Sequence, residues 1–232
     1  MVNFYNLVEY ELREIVSGVY AVKIQDPYER AMLFLRSQEF YESPIPEIRN
    51  KHINIFESMN MYRKWMKKDY FSYTEDWIGF NIPGNIVEKC TKHVLKPSNA
   101  HMSTPYDFIM RDIIKQIRKE IGGKKFYLIG VNRFKSNLMN HELAHGLYYI
   151  DSNYRKACLE LIEESIPKKS YESLKKTLIK MGYTESVIDD EIQAYLSTGI
   201  YPQMKKIKDI KEISKIFKKN FKKYKKLNDL NS

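Results

Sequence analysis

The chain has 232 residues, of which 43% are hydrophobic and 29% charged, as in an ordinary packed globular protein. Nine Gly and eight Pro exclude collagen-like or long flexible stretches, and two Cys exclude a disulfide scaffold. No run approaches the roughly 18 apolar residues of a membrane-spanning helix. The first residues lack the basic and apolar regions of a secretory signal. The sequence therefore predicts no transmembrane helix and a cytoplasmic or host-cell intracellular location.

The positive charge is concentrated near the carboxyl end. Of the formal net charge of +10, residues 205–226 carry +9 from eleven Lys and two acids, which leaves +1 for the rest. Ile and Phe recur there every three to four residues, which predicts a basic amphipathic helix or tail over 204–232. Two interpretations stay open. The Lys residues bind nucleic acid, an anionic surface or an acidic partner, or they form the solvated face of a docked helix.

The first half of the chain mixes helical and alternating apolar patterns. Asp26 is suited to cap a helix whose first turn holds Pro27, and Gly122-Gly123 is suited to end another. The predicted elements are, in chain order, a helical or mixed segment at 4–16, a strand at 18–24, a helix from Asp26-Pro27 to about Gln38, a helix at 47–67, loops and short strands at 70–105, a helix at 108–121 and a strand at 125–131.

The second half is predicted to be mainly helical, with helices at 136–149, 153–164, 168–181 and 185–197. The chain lacks a regular alternation of strands and helices, so we expect an α+β fold with a small mixed sheet. We expect one domain over 1–203, with its active-site portion at 106–199, followed by the basic segment 204–232.

The segment with the clearest chemistry is His141-Glu142-Leu143-Ala144-His145. On a helix, the two His lie about 40° apart around the axis and one turn apart along it, so both imidazoles can bind one ion. Glu142 lies at the flank of that face, where it can take a proton from water activated by the metal. Apolar neighbours give this helix a buried side, as a rigid metal site requires.

Residues 138–147 resemble the extended signature of the zincin metallopeptidases, with an uncharged pair before the motif and an apolar residue after it. The resemblance implies a zincin-like fold, with His141 and His145 as Zn²⁺ ligands and Glu142 as the general base that activates a zinc-bound water. It also implies that the strand at 125–131 is an edge strand, which would pair with an extended peptide substrate.

The third metal ligand has three candidates. Residues 188–195 look like the gluzincin arrangement, in which a Glu on a downstream helix completes the site, and this implies Glu191. Asp151 has the spacing that metzincins use, but Tyr148 stands where their helix-breaking Gly lies. A continued helix would place Asp151 about 120° away from His145. Asp190, next to Glu191, is the fallback ligand.

The chain departs from familiar gluzincins in two respects. The separation of 46 positions between His145 and Glu191 is longer than the best-known pattern. Tyr195 occupies the position where an Asp often orients the first zinc-binding His. That role would fall to Asp151, Asp189 or a backbone carbonyl.

The function that follows from the resemblance is a zinc-dependent metallopeptidase, a hydrolase that acts on a peptide or protein substrate. Tyr195 is the candidate for stabilising the oxyanion. A zinc hydrolase acting on a non-peptide amide is a related possibility. The alternative is a non-catalytic zincin-fold protein that binds nucleic acid or anionic surfaces through residues 205–226.

Overall fold

The computed structural model describes residues 8–230, which form two compact units. Unit 1 contains the described residues up to Glu14 together with Tyr20–Phe134, and unit 2 contains Ile15–Val19 and the described residues from Lys135 onward. The chain is mixed α+β, mainly helical with a small four-stranded mixed sheet, and the predicted class is confirmed at that level. Residues 4–7 of the first predicted segment and 231–232 of the predicted tail lie outside the described residues.

The first part of the chain, up to Val131, supplies the sheet and five helices of the described residues. In chain order, the elements are β1 (Glu11–Val16), β2 (Val19–Lys23), α1 (Pro27–Glu42), α2 (Ile55–Trp65), α3 (Tyr73–Asp76), β3 (Phe80–Pro83), α4 (Gly84–Val94), a 3₁₀ helix (Pro97–Met102), α5 (Pro105–Ile121) and β4 (Tyr127–Val131).

The strand β4 lies inside the sheet. The strand order is β1-β2-β4-β3, and β3 pairs with β4 in antiparallel register, with Phe80 opposite Gly130 and Pro83 opposite Tyr127. The expectation of an edge strand at 125–131 is therefore wrong. Because its two flanks are taken by β2 and β3, β4 has no open side for an extended peptide.

Helix ends in unit 1 follow the capping residues. The Asp26 carboxylate accepts a hydrogen bond from the Glu29 backbone N–H at 2.8 Å, and Pro27 opens α1 as predicted. Helix α5 ends at Gly122, which adopts a φ of 60°. The helix predicted at 47–67 begins only at Ile55, because Asn54 accepts from the Phe56 backbone N–H and caps α2 there.

Helix α4 was missed by the sequence prediction. The helix lies within residues 70–105, where loops and short strands are predicted, and Pro83 is its N-cap and Gly84 its first residue. Neither position needs an intrahelical N–H partner, so both residues are tolerated at a helix start. The predicted helical or mixed segment at 4–16 likewise contains a strand, β1.

The rest of the chain is helical in its described residues. Its elements are α6 (Asn137–Ile150), α7 (Ser152–Ser165), α8 (Lys168–Lys180), a 3₁₀ turn (Glu185–Val187), α9 (Ile188–Thr198), a 3₁₀ helix (Pro202–Lys206) and α10 (Ile210–Leu227). Helix α9 contacts α6, α7, α8 and α10, and its Ile188, Ile192 and Leu196 are buried in the apolar core of unit 2. The helix that holds the third ligand candidate is thus the central helix of this unit.

Helix α10 buries its apolar side and exposes most of its lysines. Ile213, Phe217 and Phe221 are buried, and the helix contacts α9 and α7. Ten of the eleven lysines in 205–226 are exposed, while Lys225 is half-buried and donates to Asn140 Oδ1 at 3.0 Å. Among the described residues, no helix combines the length and the apolar character needed to span a membrane.

Candidate metal centre

The two His of the motif are presented by one helix. The Ser136 hydroxyl accepts a hydrogen bond from the Met139 backbone N–H and caps α6 one turn before the motif. His141 Nε2 and His145 Nε2 lie 3.4 Å apart. His145 is 3% exposed, and the His141 side chain is 18% exposed. Both imidazoles therefore direct the same ring nitrogen toward one point.

Glu191 reaches that point from α9. Its Oε1 lies 3.6 Å from His145 Nε2, and its Oε2 lies 4.0 Å from His141 Nε2. Ligand atoms of His141, His145 and Glu191 all lie within 4.8 Å of one another. Helices α7 and α8 occupy most of the long sequence gap between His145 and Glu191. The structure thus brings together the three residues that the sequence prediction named as ligands.

The donor set fits a zinc ion. Zinc binds His nitrogen and carboxylate oxygen at about 2.0–2.2 Å, and tetrahedral geometry then separates ligand atoms by about 3.4 Å. The separations of 3.4, 3.6 and 4.0 Å, of which the last two are measured from different oxygens of the Glu191 carboxylate, are near that value. Two nitrogens and one oxygen leave a fourth position open, the usual composition of a catalytic zinc site.

Asp190 orients His145. Its Oδ1 lies 2.9 Å from His145 Nδ1, on the ring side opposite the metal-facing Nε2. A metal ion bound at Nε2 would replace the proton there, and the remaining Nδ1 proton would be donated to this carboxylate. Asp190 therefore contacts the ring nitrogen that faces away from Glu191, and it is not among the three residues whose ligand atoms lie together.

His141 is oriented by the end of α9. Its Nδ1 lies 3.3 Å from Thr198 Oγ1, and that hydroxyl donates to the Ala194 carbonyl at 2.7 Å. A backbone hydrogen bond with Ala194 raises the pKa of His141, against the larger lowering by burial. A hydroxyl and a backbone group at the end of α9 therefore interact with the His141 ring.

The other acidic candidates have structural roles. The Asp151 carboxylate accepts from the backbone N–H groups of Asn153 and Tyr154 at 2.9 and 3.0 Å, and so caps α7. Helix α6 continues through Tyr148 to Ile150, which keeps Asp151 out of the ligand group. Asp189 accepts a hydrogen bond from the Tyr171 hydroxyl at 2.9 Å. Asp151 is thus not among the residues whose ligand atoms the structure brings together.

The two predicted catalytic side chains both adjoin this group. Glu142 is 5% exposed, and its charge contributes to raising the pKa of His145 and the pKa of Tyr195. The Tyr195 ring centre lies 4.6 Å from that of His141. The Tyr195 hydroxyl lies 3.0 Å from the hydroxyl of Tyr183.

Burial and neighbouring charge set the protonation of the centre. Burial, together with the charge of His145, lowers the pKa of His141 to about 3, so this ring is neutral at pH 7. Burial also lowers the pKa of His145, but Asp190, Glu191 and Glu142 together raise it well above its usual value. Burial and the charge of Glu191 raise the pKa of Tyr195 to about 12. Its hydroxyl is therefore protonated near neutral pH and can donate a hydrogen bond.

Several contributing residues were not found from the sequence. Thr198 belongs to no sequence motif. The hydrogen bonds continue beyond Asp190 to Gln193 and Tyr154, and these two residues are 39 positions apart in the sequence. A helix places residues three apart on one face, and this spacing is the signal that could have identified Gln193 as a neighbour of Asp190.

Comparisons with known proteins add no family. No family model, no curated protein and no solved structure matches this chain. The functional assignment consequently rests on the residues of the centre and their geometry.

Proposed function

We propose that the chain is a zinc-dependent peptidase of the zincin type, with His141, His145 and Glu191 as the metal ligands. The single observation that supports this most strongly is the convergence of two Nε2 atoms and one carboxylate from α6 and α9, with separations of 3.4 to 4.0 Å. The Asp190 contact on His145 adds the outer support that metal-binding His usually has.

The chemistry divides between the metal and the side chains around it. Zinc bound by His141, His145 and Glu191 would supply a Lewis acid for a substrate carbonyl and would make bound water more acidic. Glu142 acts as the general base that takes a proton from the attacking water and passes it to the leaving amine. The protonated hydroxyl of Tyr195 donates a hydrogen bond to the oxyanion, and Tyr183 holds that hydroxyl at 3.0 Å.

The decisive experiment measures zinc content and peptide hydrolysis on the same samples. Glu142→Gln should keep about one zinc per chain and lose a hundredfold or more of the turnover of a peptide library, since a general base contributes about that much. The matched control is Glu185→Gln, which changes an exposed carboxylate of unit 2 and should leave turnover unchanged. A zinc-loaded wild type without hydrolysis would contradict the peptidase proposal.

A second function is favoured by the exposed lysines of α10. Lys211, Lys215, Lys218, Lys222 and Lys226 follow one another at helical spacing on the solvent side. Eighteen residues of helix extend about 27 Å. We propose that this basic face binds the phosphate backbone of nucleic acid, which presents its charges in a line.

Insertion into a lipid surface is less favoured by the packing of α10. An interfacial helix places its apolar face into the acyl boundary. In this helix, Phe217 and Phe221 are buried within the protein. Only electrostatic attraction would remain for a membrane.

The test uses a labelled DNA duplex and, as a separate arm, vesicles with anionic lipid. Lys218→Glu with Lys222→Glu should weaken DNA binding and reduce the slope of its salt dependence. Lys176→Glu with Lys180→Glu makes the same charge change on α8 of the same unit and should have a smaller effect. Binding to vesicles alone, or equal losses in both pairs, would contradict nucleic-acid binding by α10.

A further inference from the structure

A buried chain of hydrogen bonds leads away from the metal centre. His145 Nδ1 lies 2.9 Å from Asp190 Oδ1. The same Oδ1 accepts from Gln193 Nε2 at 2.9 Å, and Gln193 Oε1 accepts from the Tyr154 hydroxyl at 2.7 Å. His145, Asp190, Gln193 and Tyr154 thus connect α6 with α9 and α7.

We propose that Gln193 and Tyr154 are positioning residues that hold Asp190 against His145 and thereby tune the affinity of the metal centre. The inference rests on the proposed zinc site, and it goes beyond the ligands to the residues that determine how well they are oriented.

The side-chain amide of Gln193 can have only one orientation between Asp190 and Tyr154. Its side chain is fully buried, so both ends of the amide need partners within the protein. Ionised Asp190 only accepts hydrogen bonds, so the NH₂ group must face it, and the amide oxygen then faces the Tyr154 hydroxyl. The order of donors is fixed from Tyr154 through Gln193 to Asp190.

Tyr154 is itself fixed. Its side chain is fully buried, and its ring centre lies 5.4 Å from that of Tyr224. Its backbone N–H donates to the Asp151 carboxylate at 3.0 Å at the start of α7. These two contacts therefore hold the Tyr154 hydroxyl in the position from which it donates to Gln193.

Asp190 depends on this support. Its side chain is 26% exposed, so it has access to water and to other rotamers. The donor from Gln193 selects the rotamer in which Oδ1 faces His145. Loss of that donor should loosen the imidazole and weaken metal binding, as outer-sphere changes at metal sites commonly do.

The test measures zinc affinity directly. The full-length protein is freed of metal, and its Kd for zinc is determined by competition with a chromophoric chelator. Gln193→Glu has the same shape but presents a carboxylate to Asp190, and it should raise the Kd about tenfold to a hundredfold. Tyr154→Phe should raise it less, because Gln193 can still donate to Asp190. The visible absorption of bound Co²⁺ should change in the same order.

The control is Tyr171→Phe. Tyr171 donates to Asp189 at 2.9 Å. This variant therefore removes a Tyr–Asp hydrogen bond to the same helix α9, but one that does not belong to the series from His145 to Tyr154. It should bind zinc with the wild-type Kd. If Gln193→Glu fails to fold, the comparison of Tyr154→Phe with Tyr171→Phe still tests the proposal.

A double-mutant cycle separates positioning from general destabilisation. If Gln193 acts through Asp190, Gln193→Glu should add no further loss of zinc affinity in an Asp190→Ala background. Additive losses, a wild-type Kd in Gln193→Glu, or equal losses in Tyr154→Phe and Tyr171→Phe would overturn the proposal. Zinc binding without peptide hydrolysis would contradict only the peptidase function, whereas a wild type that binds no zinc would overturn both.

Discussion

Asp190 of α9 and His145 of α6 are in direct contact, with 2.9 Å between Oδ1 and Nδ1. The next residue, Glu191, approaches the other nitrogen of the same ring, with 3.6 Å between Oε1 and Nε2. Two consecutive acids therefore engage both nitrogens of one imidazole. Successive residues of a helix point about 100° apart, which lets one of them orient the ring while the other faces the metal position.

This division of roles predicts different zinc contents for two acidic variants. Glu191→Gln replaces a charged ligand with a neutral amide and should leave the protein with well under one zinc per chain after dialysis. Asp151→Asn should keep its zinc and its fold, because Asn also caps a helix and the Asp151 carboxylate binds the start of α7 and the Asn228 side chain rather than the metal position. Plasma mass spectrometry measures both. Zinc lost from Asp151→Asn and kept in Glu191→Gln would reverse the assignment of the third ligand.

The histidines and Glu142 could be predicted because their chemistry is local. One helix carries all three, and the helical period alone places both His on one face. Glu191 required the resemblance to gluzincins, since nothing local connects it with a helix 46 positions earlier. The structure places the Glu191 carboxylate beside both His rings.

The outer residues could not be predicted because they depend on how α9 is rotated against α6. Asp189, Asp190 and Glu191 are consecutive acids in one helical turn, and a rotation of about 100° would exchange their roles. The sequence contains no signal for that angle, which is determined by the packing of Ile188, Ile192 and Leu196 in the core. The same limit applies to β4, whose neighbours in the sheet are set by topology and not by its own pattern.

Thr198 provides a test of how His141 is oriented. Its hydroxyl lies 3.3 Å from His141 Nδ1, so Thr198→Val should weaken zinc binding about threefold to tenfold. Thr177→Val is the matched control, because Thr177 also donates to the carbonyl four residues earlier, at 2.8 Å from Ser173 O, but on α8. Chelator competition gives both affinities. An unchanged Kd in Thr198→Val would mean that the Ala194 carbonyl alone orients the ring.

Helix α10 should contribute to the stability of unit 2 through its buried side. Phe217 is fully buried, so Phe217→Ala should lower the free energy of unfolding by about 3–5 kcal/mol. The adjacent Ile216 is 43% exposed, and Ile216→Ala should change the free energy of unfolding by less than about 0.5 kcal/mol. Thermal unfolding followed by circular dichroism compares the two. Similar small losses in both would indicate that α10 is not part of the folded core.

The stability of unit 1 should fall in mild acid because of His52. This imidazole stacks on His93 with ring centres 3.7 Å apart, and burial together with the charge of His93 lowers the pKa of His52 to about 4. In the unfolded chain, His52 has the ordinary pKa near 6.5. As the pH falls from about 6.5 to about 4, the unfolded state therefore binds a proton at His52 that the folded state does not bind. The free energy of unfolding therefore decreases across that window and is unaffected by His52 above it.

Substitution of His52 should remove this part of the pH dependence. The difference in unfolding free energy between pH 7 and pH 5 should be smaller in His52→Gln than in the wild type by on the order of 1 kcal/mol, allowing for the partial exposure of the ring. Urea titration followed by tryptophan fluorescence reports on unit 1, because the two Trp of the chain, Trp65 and Trp77, both lie in it. His101→Gln, at an exposed position of the same unit, is the control. Equal pH dependence in His52→Gln and the wild type would show that His52 does not sense the pH.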